Sequence, residues 1–136
     1  MNNLEQTLSI IKPDAVERNL QEEIKKNFVE NGFVIKNEKK IQISKSEAEE
    51  FYKVHQSKPF YGELCNYLSS GPILVMVLEK ENAVLENRKL MGATDPTKAE
   101  EGTLRKKYGI SIDKNSVHGS DSNENAKIEI DFFFKN

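Results

Sequence analysis

A run of six consecutive apolar residues at positions 73–78 (ILVMVL) constrains the fold more than any other feature of the sequence. A strand with one face in water alternates apolar and polar residues, so this unbroken run predicts a β-strand that is buried on both faces. Such a strand needs covering elements, which predicts a sheet packed against helices. The run is also far shorter than the roughly 20 residues of a membrane-spanning helix.

The patterns on either side of this run predict alternating strands and helices. Strands are indicated at residues 7–11, ended by Pro13, and at residues 116–118. An extended segment between them carries Phe33, Ile35, Ile41 and Ile43 on one face. Apolar spacing and capping signals such as Ser44 with Glu47 predict helices near 20–30, 44–55, 60–68, 83–90, 103–108 and 121–134. These patterns give the order β-α-β-α-β-α-β-α, with helices on one side of a small mixed sheet.

Composition narrows the class of protein. A chain of 136 residues with 20 Lys+Arg and 22 Asp+Glu has a net charge of −2, so we expect one domain, residues 1–136, without a basic surface for nucleic acid or membrane. The single cysteine, Cys65, excludes an internal disulfide and a multi-cysteine metal site. Because residues 1–5 (MNNLE) have no signal-peptide pattern, we expect a soluble, cytoplasmic protein.

Arginine is rare in this sequence. Arginine occurs at only three positions, Arg18, Arg88 and Arg105, and all the other residues in the Lys+Arg count are Lys. Because a guanidinium grips phosphate through two hydrogen bonds and an ammonium does not, these three positions are candidates for phosphate contacts. A proteome rich in Lys and Asn would give the same count, and composition alone leaves both interpretations open.

Residues 115–121 (NSVHGSD) place His118 where a predicted strand ends and a predicted helix begins. A helix N-terminus favours an anion, and an imidazole beside it could attack phosphorus and carry the phosphoryl group covalently. Glu129 lies about two turns into the helix and could reach one ring nitrogen, leaving the other as the nucleophile. A lone histidine is more often a solvated loop or cap residue, so the motif alone does not decide between the two.

Residues 115–130 (NSVHGSDSNENAKIEI) closely resemble the active-site signature of the nucleoside diphosphate kinases. Other segments are similar to that family in the same order. They are IIKPDAV at 10–16, the segment from FY at 51–52 to KPF at 58–60, SGP at 70–72, MGATDP at 91–96 and GTLR at 102–105. The resemblance therefore extends over nearly the whole chain.

The resemblance implies a fold and an activity. The fold is α/β (α+β) and ferredoxin-like, with a four-stranded antiparallel sheet covered by helices. The activity is ping-pong transfer of the γ-phosphoryl group from a nucleoside triphosphate such as ATP to a nucleoside diphosphate such as GDP, through phosphohistidine and with broad tolerance of base and sugar. Mg²⁺ is expected to arrive on the nucleotide phosphates. We also expect a homo-oligomer, either a tetramer or a hexamer, with the hexamer favoured.

The resemblance also assigns roles to individual residues. His118 matches the phosphorylated residue, and Ser120 and Glu129 match the groups that orient it. Positions that hold phosphate oxygens or the ribose 3′-hydroxyl are matched by Lys12, Tyr52, Arg88, Thr94, Arg105 and Asn115, with Lys12 counted among the catalytic residues, and Phe60 matches the aromatic that stacks on the base. Asp121 lies close to the metal–phosphate region and could contact Mg²⁺ through water. Without the resemblance, Phe60 would be an ordinary aromatic, and Arg88 and Arg105 helix-surface charges.

Some positions depart from the family pattern, and some functions stay open as alternatives. Ala15 and Asn19 stand where many members have glycine, and Lys106-Lys107 replaces a small residue followed by an acidic one. His55 is matched near the nucleotide entrance but is equally well explained as a packed helix residue. The alternatives are a phosphohistidine carrier or protein histidine kinase, a nucleic-acid-binding module, and a catalytically inactive scaffold. The net charge of −2 disfavours the nucleic-acid module.

Overall fold

The apolar run forms a central strand of a four-stranded sheet. The computed structural model describes residues 4–53, 56–59, 61–110 and 116–134. The strands are β1 (Leu4–Ile11), β2 (Val34–Ile41), β3 (Ile73–Glu81) and β4 (Val117–Gly119). Their order across the sheet is β2-β3-β1-β4, and each neighbouring pair is antiparallel. Residues 73–78 are all buried, which confirms the prediction of a doubly covered strand.

Helices fill the connections between the strands in the predicted order, with one short helix, the first, that was not predicted. They are α1 (Pro13–Glu17), α2 (Gln21–Glu30), α3 (Lys45–Phe51), α4 (Tyr61–Leu68), α5 (Ala83–Met91), α6 (Leu104–Tyr108) and α7 (Asn123–Phe134). The capping box predicted at the start of α3 is present, with the Ser44 side chain accepting from the Glu47 backbone and the Glu47 side chain accepting from the Ser44 backbone. Within the described ranges, no helix is both long enough and apolar enough to cross a membrane.

The helices cover both faces of the sheet, so the expectation of helices on one side of a mixed sheet is wrong. One core contains Phe28 of α2 and Met76 of β3. The other contains Leu68 of α4, Phe133 of α7 and Val75 of β3. Successive side chains of a strand point to opposite faces, so the single apolar run supplies both cores. The observed antiparallel sheet covered by helices is the fold that the family resemblance implies.

The apolar residues around β2 also lie on two faces, whereas the sequence pattern predicts one. Phe33 is buried in the core that contains Phe28, and Ile35 packs against the same core. Ile43 is buried in the core of α4 and α7, and Ile41 packs against it. The four positions have the same parity, so a regular strand would keep them together.

A β-bulge at Lys36 is the physical reason for this difference. Ile35 pairs with Leu78 and Asn37 pairs with Val77, so two steps along β2 correspond to one step along β3. One extra residue reverses the alternation of every side chain that follows it. Periodicity in the sequence does not reveal such an insertion, because the polar residues around Lys36 fit either register.

Two of the departures from the family pattern lie at described positions of the fold. Asn19 has a φ of 60°, in the left-handed region that glycine and asparagine adopt more readily than other residues. Ala15 is fully buried in the core that contains Phe28. Cys65 is buried in the opposite core, and burial raises the pKa of its thiol, in agreement with its interpretation as a small apolar residue.

We predict that deletion of Lys36 destabilises the protein far more than Lys36→Ala. Deletion restores strict alternation, so either Phe33 and Ile35 or Ile41 and Ile43 turn to the wrong face. The expected loss is about 3 kcal/mol or more in the free energy of unfolding, the burial of two large apolar side chains. Lys36→Ala removes an exposed side chain whose ion pair with Glu79 is 4.0 Å long, and should change stability by less than about 0.5 kcal/mol. Urea denaturation measures both, and equal stabilities would contradict the role of the bulge.

Candidate active site

His118 lies in β4, an edge strand that is hydrogen-bonded to β1. It pairs with Ile10, and its neighbour Val117 pairs with Ile11. Residues paired in an antiparallel ladder share a face, so His118 points to the same side as Ile10, toward the core of α4 and α7. Val117 points to the opposite core. The strand register therefore decides which side of the sheet presents the imidazole.

The junction between β4 and α7 differs from the prediction. His118 lies inside the strand, and α7 begins only at Asn123. The cap of this helix is Ser122, whose Oγ accepts a hydrogen bond from the Asn125 backbone at 3.1 Å. The helix therefore begins two residues later than the predicted residue 121. Asp121 is exposed, and its carboxylate accepts from the Asn125 side chain at 2.6 Å.

A hydrogen-bonded chain connects the imidazole to the sheet. His118 Nε2 lies 3.2 Å from Glu129 Oε1, as the spacing along α7 suggests. The hydroxyl of Ser120 donates to the same carboxylate oxygen at 2.7 Å. Ser120 is fully buried, and its Oγ accepts from the Leu8 backbone N–H at 3.2 Å. With Glu129 accepting at Nε2, a neutral imidazole keeps its lone pair on Nδ1.

Two aromatic side chains from the end of α3 surround the imidazole. The Phe51 and His118 ring centroids are 5.3 Å apart, and those of Tyr52 and His118 are 6.3 Å apart. Burial raises the pKa of the Tyr52 hydroxyl above its usual range, and the negative charge of Glu129 adds to the shift. The hydroxyl therefore stays protonated at neutral pH and can donate a hydrogen bond. Phe51 was not predicted as a site residue, and its only sequence signal is its position beside Tyr52.

A positively charged cleft of about 220 Å³ opens beside β4. It is lined by Arg88, Met91, Gly92, Ala93, Thr94, Arg105 and Gly119. Burial lowers the pKa of Arg105 to about 10, and the charge of Arg88 acts in the same direction. A guanidinium with a pKa of about 10 is still charged at neutral pH, and arginine side chains in general carry a positive charge. In the described part of the chain, neither Arg88 nor Arg105 forms an ion pair with a carboxylate, so the cleft favours an anion.

Arg105 and Lys12 are both tied to the backbone beside His118. The Nη1 and Nη2 groups of Arg105 donate to the carbonyls of Gly92 and Val117, each at 3.0 Å. The backbone N–H of Lys12 donates to the Ser116 carbonyl at 2.8 Å and continues the ladder between β1 and β4. Lys12 is extended and only 5% exposed, and it follows Ile11, so its side chain leaves the sheet on the side of His118.

The structure also shows which candidates lie elsewhere. The guanidinium of Arg18 forms an ion pair with the Asp14 carboxylate, with Nη2 3.0 Å from Oδ2. Neither residue lines the cleft. Asn115, Phe60 and His55 lie outside the described residues.

One residue of the site, Gly119, was not predicted from the sequence. A Cβ at this position would overlap the Asn87 amide nitrogen and lie 2.7 Å from Met91 Cε. This glycine lets α5 approach β4 closely, and its position directly after His118 was the available signal.

Comparison with known proteins agrees with this geometry. A family model described as nucleoside diphosphate kinase matches residues 5–136. A nucleoside diphosphate kinase of Wolinella succinogenes is 57% identical over 131 residues, which is 96% of this chain and 96% of that protein. One of Campylobacter fetus is 56% identical over 131 residues, with the same two coverages of 96%. The crystal structure of the Aquifex aeolicus nucleoside diphosphate kinase matches with a TM-score of 0.95 at 40% identity, over 98% of this chain and 96% of that one. The chain therefore belongs to the nucleoside diphosphate kinase family, a family of phosphotransferases that act on nucleotides.

Proposed function

We propose that this chain transfers the γ-phosphoryl group of a nucleoside triphosphate to a nucleoside diphosphate through a phosphorylated His118. The observation that carries the proposal is the imidazole fixed by Glu129 at 3.2 Å beside a cleft with two charged guanidinium groups. The imidazole held by Glu129 supplies a nucleophile with a defined lone pair, and the two guanidinium groups of the cleft favour binding of phosphate. A carboxylate at the ring and cations in the cleft are what a phosphohistidine intermediate needs.

The proposed reaction has two mirror-image steps. In the first, the Nδ1 lone pair of His118 forms a bond to the γ-phosphorus while the bond from that phosphorus to the β–γ bridging oxygen breaks. The nucleoside diphosphate leaves with the bridging oxygen and its electron pair. In the second step, the terminal oxygen of another diphosphate attacks the phosphorus, and the nitrogen recovers its lone pair. Glu129 accepts from Nε2 throughout and keeps the ring in one orientation.

The remaining residues bind and orient the nucleotide in this proposal. Arg88 and Arg105 hold phosphate oxygens through planar, charged donors, and Thr94 adds a neutral hydroxyl at the rim of the cleft. Lys12 and Asn115 contact the ribose 3′-hydroxyl and the phosphates, and Tyr52 donates its hydroxyl nearby. Phe60 stacks on the base. Holding donor and acceptor in line provides most of the rate acceleration in phosphoryl transfer.

The divalent cation that kinases require accompanies the nucleotide in this proposal. Among the described residues, no group of three His, Cys, Asp or Glu side chains is close enough together to hold a metal ion. The cleft itself is lined by cationic and neutral groups, which suits phosphate rather than a bare cation. Mg²⁺ on the phosphates, with the exposed carboxylate of Asp121 reached through water, fits this donor set and would neutralise charge on the transferring group.

We further propose that the chain acts as a single domain in a cytoplasmic homo-oligomer. The family model covers residues 5–136, and both cores share one sheet, which supports one domain. The cytoplasm is where nucleoside triphosphates are abundant. Assembly is supported by two exposed apolar side chains near β2, which has no outer neighbour in the described sheet. They are Val29 on α2 at 58% exposure and Val34 on β2 at 55%.

We predict a hexamer, or otherwise a tetramer, in solution. Covering Val29, Val34 and the outer edge of β2, which is unpaired among the described strands, removes apolar surface and open backbone groups from water. Sedimentation velocity at micromolar concentration measures the assembly. A single monomeric species would contradict the prediction, and Val29→Lys with Val34→Lys should weaken assembly if this face is used.

We predict that His118→Ala abolishes phosphoryl uptake, because the imidazole forms the covalent bond, while leaving the fold and ADP binding nearly intact, because the guanidinium groups of the cleft are kept. The purified protein is incubated with γ-labelled ATP and Mg²⁺, acid-labile label on the protein is measured, and GDP is then added. Wild type and His55→Ala, which removes the other histidine, should take up label, and wild type should pass it to GTP. Label retained until a second protein is added would identify a phosphohistidine carrier instead, and a labelled His118→Ala variant would contradict the nucleophile.

We also predict broad base tolerance and a strong requirement for the 3′-hydroxyl. Stacking on Phe60 offers every base only a face, so GDP, ADP, CDP, UDP and dTDP should have specificity constants within about one to two powers of ten. Phosphoryl transfer from phosphorylated enzyme should be similar for GDP and 2′-deoxy-GDP and much slower for 2′,3′-dideoxy-GDP, because Lys12 and Asn115 lose their sugar contact. Equal rates for all three would refute the roles of Lys12 and Asn115.

A further inference from the structure

The ring of Phe51 connects the nucleophile to the helix that orients it. Its centroid lies 5.3 Å from that of His118, with the planes at 70°, an edge-to-face contact. It also lies 5.7 Å from Phe132 and 5.1 Å from Phe133. These two residues belong to α7 and follow Glu129 by about one turn. Phe51 therefore contacts the imidazole and also packs against the helix that supplies its carboxylate.

A single hydrogen bond leaves the tilt of an imidazole ring loosely defined. The contact from Nε2 to Glu129 Oε1 is 3.2 Å, at the long end of the range for an N–H donor. Such a bond tolerates a range of ring planes around its axis. Both Phe51 and Tyr52 pack edge-to-face against the imidazole, and the Phe51 ring is the nearer of the two. A ring at this distance narrows the range of tilt, because tilting the imidazole brings the two rings into overlap or opens a gap between them.

We propose that Phe51 is a positioning residue for phosphoryl transfer, holding the plane of His118 so that Nδ1 faces the phosphorus while Nε2 stays on Glu129. This inference rests on the proposed function of His118 and adds a residue that acts through the nucleophile. It acts at the moment when the bond from nitrogen to phosphorus forms as the bond to the leaving oxygen breaks. The Nδ1 lone pair must point at the phosphorus, in line with the bond that breaks. Small misplacements of reacting groups reduce the rate steeply.

Phe132 provides a matched control in the same cluster. Like Phe51, it is partly buried and packs against the core of α4 and α7. Its ring contacts are with Phe51 and with Phe133, 4.9 Å away. Among the described residues it makes no ring contact with His118. Truncating Phe132 therefore loosens the cluster without removing the ring that touches the nucleophile.

The test compares three variants of the full-length protein in single-turnover phosphorylation by Mg²⁺·ATP. Phe51→Leu should lower the maximal rate constant for labelling His118 by about 10- to 100-fold and leave the ATP concentration for half-maximal rate nearly unchanged. Phe51→Tyr keeps the ring and should restore most of the rate. Phe132→Leu should remain close to wild type. Thermal unfolding of each variant accompanies the kinetics, and Phe51→Met, which keeps more side-chain volume, replaces Phe51→Leu if the latter does not fold.

Three results would overturn the role of Phe51. One is a labelled wild type with an equally fast Phe51→Leu variant. Another is an equal loss of rate in Phe51→Leu and Phe132→Leu, which would indicate general loosening of the cluster. The third is a loss confined to ATP affinity, which would make Phe51 a nucleotide contact. A wild type that takes no label overturns the proposed function itself, which separates the two failures.

Discussion

The site depends on a pairing of three residues at the edge of the sheet. β4 contributes Val117, His118 and Gly119 to the ladder with β1. The ladder is extended at one end by the bond from the Lys12 N–H to the Ser116 carbonyl at 2.8 Å, and at the other by the bond from the Ser120 N–H to the Leu8 carbonyl at 3.2 Å. A slip of one residue would turn the imidazole to the opposite core, away from Glu129. These flanking bonds therefore fix the position of the imidazole as well as the fold.

Arg105 has a structural task beside its proposed role with phosphate. The outer edge of β4 is not paired with another strand in the described sheet, and Arg105 donates to the Val117 carbonyl on this strand at 3.0 Å. A second bond, to the Gly92 carbonyl, ties the end of α5 to the same guanidinium. A guanidinium has five N–H donors, so two bonds to the backbone leave others for an anion. An ammonium at this position could not hold the same three partners in one plane.

Much of this arrangement could be predicted from the sequence, and particular residues show where prediction ends. The apolar run at 73–78 correctly predicted the doubly buried strand. The spacing between His118 and Glu129 correctly predicted the contact between the imidazole and the carboxylate. The bulge at Lys36 could not be predicted, because its polar neighbours fit either register. The backbone bonds of Arg105 join residues distant in the chain, and no local pattern encodes them. The strand order came from resemblance to a family, since the residue patterns gave only element order.

The two cores position different residues of the site, and β4 contributes side chains to both faces. The core of α4 and α7 positions His118 and Tyr52, whereas α5, which carries Arg88, packs on the opposite face. The charges of both Glu129 and Arg105 act on the pKa of Tyr52, which shows how closely the two sides approach. In the proposed reaction, the carboxylate behind the imidazole and the guanidinium groups in the cleft would produce an electric field along the path of phosphoryl transfer. Because these charges are held by packed helices and backbone bonds, they need little reorganisation during transfer, which is how fixed charges lower a barrier most effectively.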